Sequence, residues 1–251
     1  MEKEGLLMKI VAHRGASGYC PENTLAAFKK AVEVNVDSIE LDVRLSKDGV
    51  PVICHDAKIN RTSNGTGYIH ELTLEELKQY DFGSWYGDEF AGERIPTLEE
   101  VLVFLQESDV TVNIEIKNGP VIQENIEEEM LRLVYKYDFN DRVWISSFDH
   151  HSLKKVADLD KHIKIGFIFH MNLINLFDYI DNSGIDPYSI HPNYFYITEE
   201  MLKEAHQRNY KVFAYTVDDV TVGEKYKHMG VDGVVTNKPL AYKQSGLFTS
   251  K

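Results

Sequence analysis

Two carboxylates lie two residues apart in a segment with strong β propensity. Glu40 and Asp42 alternate with the apolar residues Ile39, Leu41 and Val43. Side chains at this spacing share one face of a strand, about 7 Å apart along it. On a buried face two acids are costly unless they are paired or bind a cation, so the pattern favours a metal site. The alternative is that both acids lie near the surface of an edge strand.

The same spacing recurs in Val112–Lys117, where Glu115 and Lys117 would share one strand face. Three carboxylates without clustered cysteines describe an oxygen-rich site, which suits Ca²⁺ or Mg²⁺ better than zinc. Lys117 is suited to hold a phosphate oxygen beside such an ion. Its alternative role is to snorkel to solvent or to pair with Glu115.

Two histidines end short apolar runs. His13 is followed by Arg14 and Gly15, and His55 is followed by Asp56. Phosphodiester cleavage needs a base and an acid, and a pair of imidazoles can supply both because imidazole titrates near neutral pH. The planar guanidinium of Arg14 suits a phosphate. Either histidine can instead be structural, and Asp56 either orients His55 or caps the next turn.

The elements that must position these residues alternate along the chain, because each β-rich run but one is followed by helical periodicity. The strand-like runs are Lys9–His13, Ser38–Leu45, Val50–His55, Val112–Lys117, Val143–Ser147, Lys164–Phe169, Tyr188–His191, Lys211–Thr216 and Gly233–Thr236. This alternation predicts a parallel sheet of the α/β class that closes into a (β/α)8 TIM barrel, and an open doubly wound sheet is the alternative. In a barrel the carboxyl ends of the strands form the active face.

Helix starts are marked by residues that can cap them. The expected caps are Asn23 for Thr24–Val34, Thr73 and Thr97 with the capping-box residues Glu76 and Glu100, and Asp149, Thr198 and Asp218 for later helices. Glu124–Tyr137 is also amphipathic.

The segment Asp56–Pro96 interrupts the alternation and is too long for a standard connection. It is predicted to be a small insertion between the second and third barrel strands, lying above the barrel. No Pro-rich or low-complexity linker marks a second domain. Residues 8–251 are therefore expected to form one barrel domain, with the insertion at about 56–96.

The charge balance limits the partners. The chain has 251 residues and a formal net charge of −13, so a nucleic-acid partner is not expected. A small phosphate would need a bound cation or local basic groups. Met1–Ala12 lacks the features of a signal peptide and no apolar run reaches about 18 residues, so no stable membrane insertion is expected. With only Cys20 and Cys54, the location is predicted to be cytoplasmic.

Five motifs in this order resemble those of the glycerophosphodiester phosphodiesterase family, bacterial cytosolic type. They are His13-Arg-Gly, Pro21-Glu-Asn-Thr24, Glu40-Leu-Asp42, His55-Asp56 and Glu115-Ile-Lys117. The resemblance runs from about Lys9 to Pro239. It implies a (β/α)8 fold, a divalent cation (Ca²⁺ or Mg²⁺) on Glu40, Asp42 and Glu115, and acid/base catalysis by His13 and His55.

The implied reaction is hydrolysis of a small glycerophosphodiester to sn-glycerol 3-phosphate and an alcohol. The glycerol 2-hydroxyl would attack phosphorus, and water would open the resulting cyclic phosphate. We expect Arg14 and Lys117 to assist at the phosphoryl oxygens, with His55 as base and His13 as acid in the first step.

The chain departs from the family at Tyr215, where many members have a tryptophan, so the substrate preference is open. Phe148, Phe169, His191 and Tyr215 are expected to line the pocket. Two alternative functions are a lysophospholipase D, with an apolar surface formed by the insertion, and a barrel that binds a phosphorylated ligand without cleaving it. That apolar surface would consist of Phe82, Trp85, Tyr86 and Phe90. A homodimer is a possible assembly.

Overall fold

The computed structural model describes residues 8–246. The first seven residues of Met1–Ala12, and residues 247–251 at the end of the expected barrel domain, lie outside the described residues. The strands are β1 (Lys9–Ala12), β2 (Ser38–Leu45), β3 (Pro51–Ile53), β4 (Thr111–Ile116), β5 (Val143–Ser147), β6 (Lys164–Phe169), β7 (Ser189–Pro192), β8 (Lys211–Ala214) and β9 (Gly233–Thr236). The helices are α1 (Leu25–Glu33), α2 (Leu74–Leu77), α3 (Leu98–Leu105), α4 (Ile126–Lys136), α5 (His150–Leu159), α6 (Leu176–Asp181), α7 (Glu199–Gln207), α8 (Val220–Met229) and α9 (Pro239–Gln244).

Eight parallel strands close into a barrel. The sheet order is β1-β9-β8-β7-β6-β5-β4-β2, and β1 also pairs with β2, which completes the ring. This confirms the (β/α)8 barrel over the open sheet. The short strand β3 lies outside the ring and pairs antiparallel with the end of β2, which explains why no helix precedes it.

The alternation of side chains along β2 separates two environments, and every residue of this strand is buried. Ile39, Leu41 and Val43 belong to the main core between the sheet and the helices. Glu40 and Asp42 therefore point into the barrel, since successive side chains face opposite sides. A smaller cluster of Val11, Trp144, Phe213 and Val235 fills the barrel interior below them.

Most of the predicted caps are confirmed. Thr73 and Thr97 form capping boxes with Glu76 and Glu100, and Asp149 and Thr198 accept hydrogen bonds at the starts of α5 and α7. Two predictions were wrong by one residue. Thr24 caps α1, because Asn23 has a left-handed backbone and its amide is bonded to Asp42. Asp219 caps α8, because the carboxylate of Asp218 accepts from Thr236, the last residue of β9, and from the backbone of Asn237.

An insertion separates the second and third barrel strands, β2 and β4, as predicted. It follows β3 and contains three short 3₁₀ turns (Ile59–Arg61, Ile69–Glu71 and Asp88–Phe90) and α2. Its apolar side chains form a separate small cluster that includes Ile59, Ile69, Leu77 and Phe82. Among the described residues, no helix combines the length and hydropathy needed to cross a membrane.

Candidate functional site

Three carboxylates meet inside the mouth of the barrel. One oxygen from each of Glu40, Asp42 and Glu115 lies within 4.8 Å of the others, and all three residues are buried. The register of the sheet explains this, since Asp42 and Glu115 are direct partners on β2 and β4. The cluster is thus formed by one strand that supplies two acids and a neighbouring strand that supplies the third.

Two oxygens of the cluster lack the hydrogen bonds that buried acids normally have. Oε1 of Glu40 and Oδ1 of Asp42 are buried without a hydrogen-bond partner. Burial, together with the neighbouring acids, raises the pKa of Glu40 well above its usual range. Burial likewise raises the pKa of Glu115 to about 6, although Lys117 opposes the shift. Unpartnered carboxylate oxygens at this separation fit a divalent cation, which prefers oxygen ligands.

His13 follows β1 and is held by two residues from distant parts of the chain. Its Nδ1 lies 2.7 Å from Oδ1 of Asn237. Asp218 accepts from Nδ2 of Asn237 at 2.7 Å, which orients the amide so that its oxygen faces the imidazole. An amide oxygen only accepts, so Nδ1 carries the proton and Nε2 is left for the cavity. Nε2 lies 4.0 Å from Oε2 of Glu40. Burial and nearby Arg14 lower the pKa of His13 to about 4.

His55 follows β3 and has a different partner. Its Nδ1–H donates to Oδ1 of Asp56 at 2.7 Å, because a carboxylate only accepts, and Nε2 again remains available. Asp56 therefore orients His55. Burial lowers the pKa of His55, while Asp42 and Asp56 oppose that shift.

Arg14 and Lys117 place positive charge beside the carboxylates. The backbone of Arg14 is left-handed, and its N–H donates to Oε2 of Glu40 at 2.8 Å. Its Nε lies 3.3 Å from Oδ2 of Asp42. Nζ of Lys117 lies 2.5 Å from Oε1 of Glu115 and 3.4 Å from Oδ1 of Asp42. The side chains of Arg14 and Lys117 thus flank the acids that would bind the metal. Lys117 does pair with Glu115.

An inner cavity of about 160 Å³ opens onto this cluster. Its lining includes nine of the eleven predicted site residues, all but Asp42 and Phe169: His13, Arg14, Glu40, His55, Glu115, Lys117, Phe148, His191 and Tyr215. The prediction for Phe169 was wrong. Neighbouring Ile168 lines the cavity, whereas Phe169 faces the helices and contacts the rings of His150 and Tyr179. The cause is the alternation of side chains along β6.

A larger outer groove of about 790 Å³ adjoins the inner cavity. The two share His55, Glu115, Lys117 and Phe148. One wall of the groove belongs to the insertion and includes Lys58 and Tyr68, and the other includes Pro120 and Ile122. His55 therefore lies where the small inner cavity meets the wide outer groove, whereas His13 lines the inner cavity alone.

Several residues that support the site were not predicted as functional. Asn23 donates to Oδ2 of Asp42 at 2.7 Å. Asn237 and Asp218 hold His13, Glu22 contacts Arg14, and Arg61 contacts Asp56, the partner of His55. The sequence does show that polar residues directly follow a strand or a motif histidine. It does not indicate which distant residue each of these polar side chains contacts.

Comparisons with known proteins agree with this geometry. The model of the glycerophosphoryl diester phosphodiesterase family matches residues 13–241. A glycerophosphodiester phosphodiesterase from Caldanaerobacter subterraneus subsp. tengcongensis is 44% identical over 230 residues, covering 92% of this chain and 94% of that protein.

Two solved structures share the whole architecture. An Oleispira antarctica phosphodiesterase in complex with the product sn-glycerol-3-phosphate has a TM-score of 0.87 at 31% identity, covering 97% of this chain and 98% of that one. A putative glycerophosphodiester phosphodiesterase from Galdieria sulphuraria has a TM-score of 0.86 at 28% identity, covering 98% of this chain and 100% of that one. Because the family model covers nearly the whole described barrel, the chain belongs to the glycerophosphoryl diester phosphodiesterase family and is a phosphoric diester hydrolase.

Proposed function

We propose that the protein hydrolyses glycerophosphodiesters to sn-glycerol 3-phosphate and an alcohol, using a divalent cation and the histidines His13 and His55. The observation that carries the proposal is one cavity lined by two imidazoles, each with Nδ1 held by an acceptor, above a buried carboxylate cluster. The product complex of the similar Oleispira antarctica phosphodiesterase supports the same substrate class.

The inner cavity suits the glycerol phosphate half of the substrate, because it is small and adjoins the carboxylates, Arg14 and Lys117. The outer groove suits the departing alcohol, because the two spaces meet at His55. The acids Glu40, Asp42 and Glu115 would hold Ca²⁺ or Mg²⁺, which would supply positive charge to the phosphoryl oxygens and orient the attacking hydroxyl. Arg14 and Lys117 add charge-assisted hydrogen bonds to the same oxygens.

In the first step one imidazole removes the proton of the glycerol 2-hydroxyl, whose oxygen attacks phosphorus. The other imidazole donates a proton to the leaving alcohol oxygen, giving a cyclic phosphate. In the second step the two histidines exchange roles, and water opens the ring.

The two histidines differ in their partners, and this bears on their roles. A carboxylate behind His55 stabilises its imidazolium, whereas a neutral amide behind His13, with Arg14 beside it, disfavours the charged form. We infer on this ground that His55 is protonated more readily than His13 and acts as the first acid, with His13 as base. This order is opposite to the one expected from the sequence.

The direct test is incubation of purified protein with glycerophosphocholine and Ca²⁺ or Mg²⁺, with sn-glycerol 3-phosphate measured by mass spectrometry. We expect sn-glycerol 3-phosphate to be released, and we expect this release to stop when a chelator removes the cation. If the protein binds the substrate and releases no glycerol phosphate with either cation, the alternative of a non-catalytic barrel holds. Activity that is equal in His13→Ala, His55→Ala and the wild type would remove both histidines from the mechanism.

The lysophospholipase D alternative depended on an apolar surface in the insertion. Phe82 is buried in the cluster of the insertion, and the ring of Tyr86 contacts those of Trp85 and Phe90. None of these four side chains lines the inner cavity or the outer groove. We therefore expect faster turnover of glycerophosphocholine than of lysophosphatidylcholine. A single domain over residues 8–251, a homodimer and a cytoplasmic location stay predictions.

A further inference from the structure

Arg61 lies in the first 3₁₀ turn of the insertion and bridges two carboxylates. Its Nε and Nη2 lie 2.8 and 3.2 Å from the oxygens of Asp56. Its Nη1 and Nη2 lie 2.8 and 2.7 Å from the oxygens of Glu22. The guanidinium is thus bidentate to both acids, an arrangement that a planar fork permits and a single ammonium does not.

Each of the two carboxylates also contacts a residue of the reaction centre. Oδ1 of Asp56 is the atom that accepts from Nδ1 of His55. Oε1 of Glu22 is the atom that lies 2.8 Å from Nη1 of Arg14, which in turn contacts Asp42. Arg61 therefore stands at the junction of two branches, one ending at a catalytic imidazole and the other at the phosphate-binding side of the cavity.

The second branch runs from a half-exposed side chain to a buried one. The side chain of Arg61 is 44% exposed, those of Glu22 and Arg14 are 13% and 16% exposed, and that of Asp42 is 1% exposed. Single exposed ion pairs add little to stability, whereas bidentate pairs in a network restrict geometry. The network is thus suited to fix the position of His55 relative to Arg14 rather than to hold the fold together.

We propose that Arg61 is a positioning residue of the reaction, through which the insertion sets the places of His55 and Arg14 at once. This inference rests on the proposed function. The insertion then supplies part of the catalytic arrangement in addition to one wall of the outer groove. Loss of Arg61 would free Asp56 and Glu22 from each other, so that both the acid/base step and phosphate binding would deteriorate.

The experiment measures kcat and KM on glycerophosphocholine, at a saturating divalent cation, for Arg61→Ala, Asp56→Ala, Glu22→Ala and the double variants. Loss of an outer-shell partner typically lowers activity by about 10- to 100-fold, and we expect this loss in kcat/KM for Arg61→Ala. Asp56→Ala should act mainly on kcat, Glu22→Ala mainly on KM, and Arg61→Ala on both. The double variants with Arg61→Ala should lose less than the product of the single losses, because the residues act as a unit.

Two further variants separate positioning from a general effect on the fold. Arg61→Lys should recover little activity, because an ammonium cannot chelate both carboxylates. Arg94→Ala is the matched control in the same insertion, since Arg94 donates only to the carbonyl oxygen of Tyr80 and should leave both constants unchanged. The thermal unfolding midpoint should be nearly the same for Arg61→Ala and Arg94→Ala.

Three results would overturn the inference while leaving the proposed function intact. They are wild-type constants in Arg61→Ala, full recovery in Arg61→Lys, and losses that multiply independently in the double variants. A wild-type protein that releases no glycerol phosphate would overturn the proposed function and this inference with it.

Discussion

The side-chain oxygen of Asn237 lies 2.7 Å from Nδ1 of His13, although the two residues are 224 positions apart. β1 and β9 are neighbours in the closed barrel, and this brings the residues that follow them together. Asp218 fixes the amide from behind, with its two oxygens accepting from the backbone and side-chain nitrogens of Asn237. The first histidine is therefore oriented by a neutral group that is itself oriented by an anion.

Replacing Asn237 by alanine should lower kcat while the barrel stays folded. A positioned acid or base accelerates the reaction by about 10²- to 10⁴-fold. If His13 rotates freely, we expect kcat to fall by about 10- to 100-fold. Steady-state kinetics on glycerophosphocholine and circular dichroism would measure the two properties. Asn182→Ala is the control, because that amide donates to a helix carbonyl far from the cavity. Unchanged kcat in Asn237→Ala would contradict the orienting role.

The leaving group can distinguish the two histidines. A glycerol phosphodiester of 4-nitrophenol releases an anion that needs little protonation, so an acid is dispensable and a base is not. We expect His55→Ala to retain much more activity on this substrate than on glycerophosphocholine, and His13→Ala to lose activity on both. Comparing the ratios of kcat for the two substrates provides the measurement. The reverse pattern would restore the order expected from the sequence.

Substituting Glu40 by glutamine should change stability in opposite directions with and without cation. Without cation at pH 8, removing one buried acid from beside Asp42 and Glu115 should raise the unfolding temperature, since burial and its neighbours disfavour the ionised form. With cation, the wild type should be the more stable, because a ligand at 100 times its Kd stabilises by about 2.7 kcal/mol. Calorimetry in chelator and in excess Ca²⁺ or Mg²⁺ would show the crossing. A Glu40→Gln protein stabilised by cation as much as the wild type would argue against Glu40 as a ligand.

Lys117→Met should separate cation binding from turnover. Its ammonium lies 2.5 Å from Glu115 and 3.4 Å from Asp42, so it competes with a cation for the same negative charge. Removing it should tighten cation binding several-fold and lower kcat, because the phosphoryl oxygens lose a donor. Titration calorimetry and steady-state kinetics test the two effects. Weaker cation binding in the variant would mean that Lys117 mainly supports the shape of the site.

His191 should make the fold sensitive to acid. It is buried, its Nε2 lies 2.9 Å from Oγ of Ser189, and burial lowers its pKa to about 3. The unfolded chain therefore binds the proton first as pH falls. The stability that comes from burying the neutral imidazole of His191 is fully present above about pH 6.5. It is lost as the pH falls from there towards 3.

The corresponding variant is His191→Gln. Each extra proton bound by the unfolded state gives a slope of about 1.4 kcal/mol per pH unit, so the variant should show a shallower dependence of the unfolding free energy between pH 4 and pH 6. Urea denaturation at several pH values measures the slope, with the exposed His162→Gln as control. Equal slopes in His191→Gln and the wild type would show that another group controls the acid response.

Local sequence patterns were sufficient to predict the order of the strands and helices and the face of a strand on which each side chain lies. The alternation in Ile39–Val43 placed Glu40 and Asp42 on the inner face, because the side-chain period of a strand is a local property. The capping boxes at Thr73 and Thr97 were equally readable, since cap and partner are three residues apart. The repeated alternation of strands and helices predicted the barrel. The barrel in turn predicted that the motif residues lie together at its carboxyl end.

The tertiary structure decided which side chains meet across the ring. Asn23 binds Asp42 instead of capping a helix, and Asp218 binds Asn237, because each carboxylate or amide bonds to the partner that the closed sheet brings nearest. The bridge by Arg61 arises in the same way, since it joins a loop after β1 to the insertion after β3. The sequence by itself thus determined the acids, the histidines and the face on which they lie. Only closure of the barrel determined their hydrogen-bond partners, because those contacts depend on distances between segments far apart in the chain.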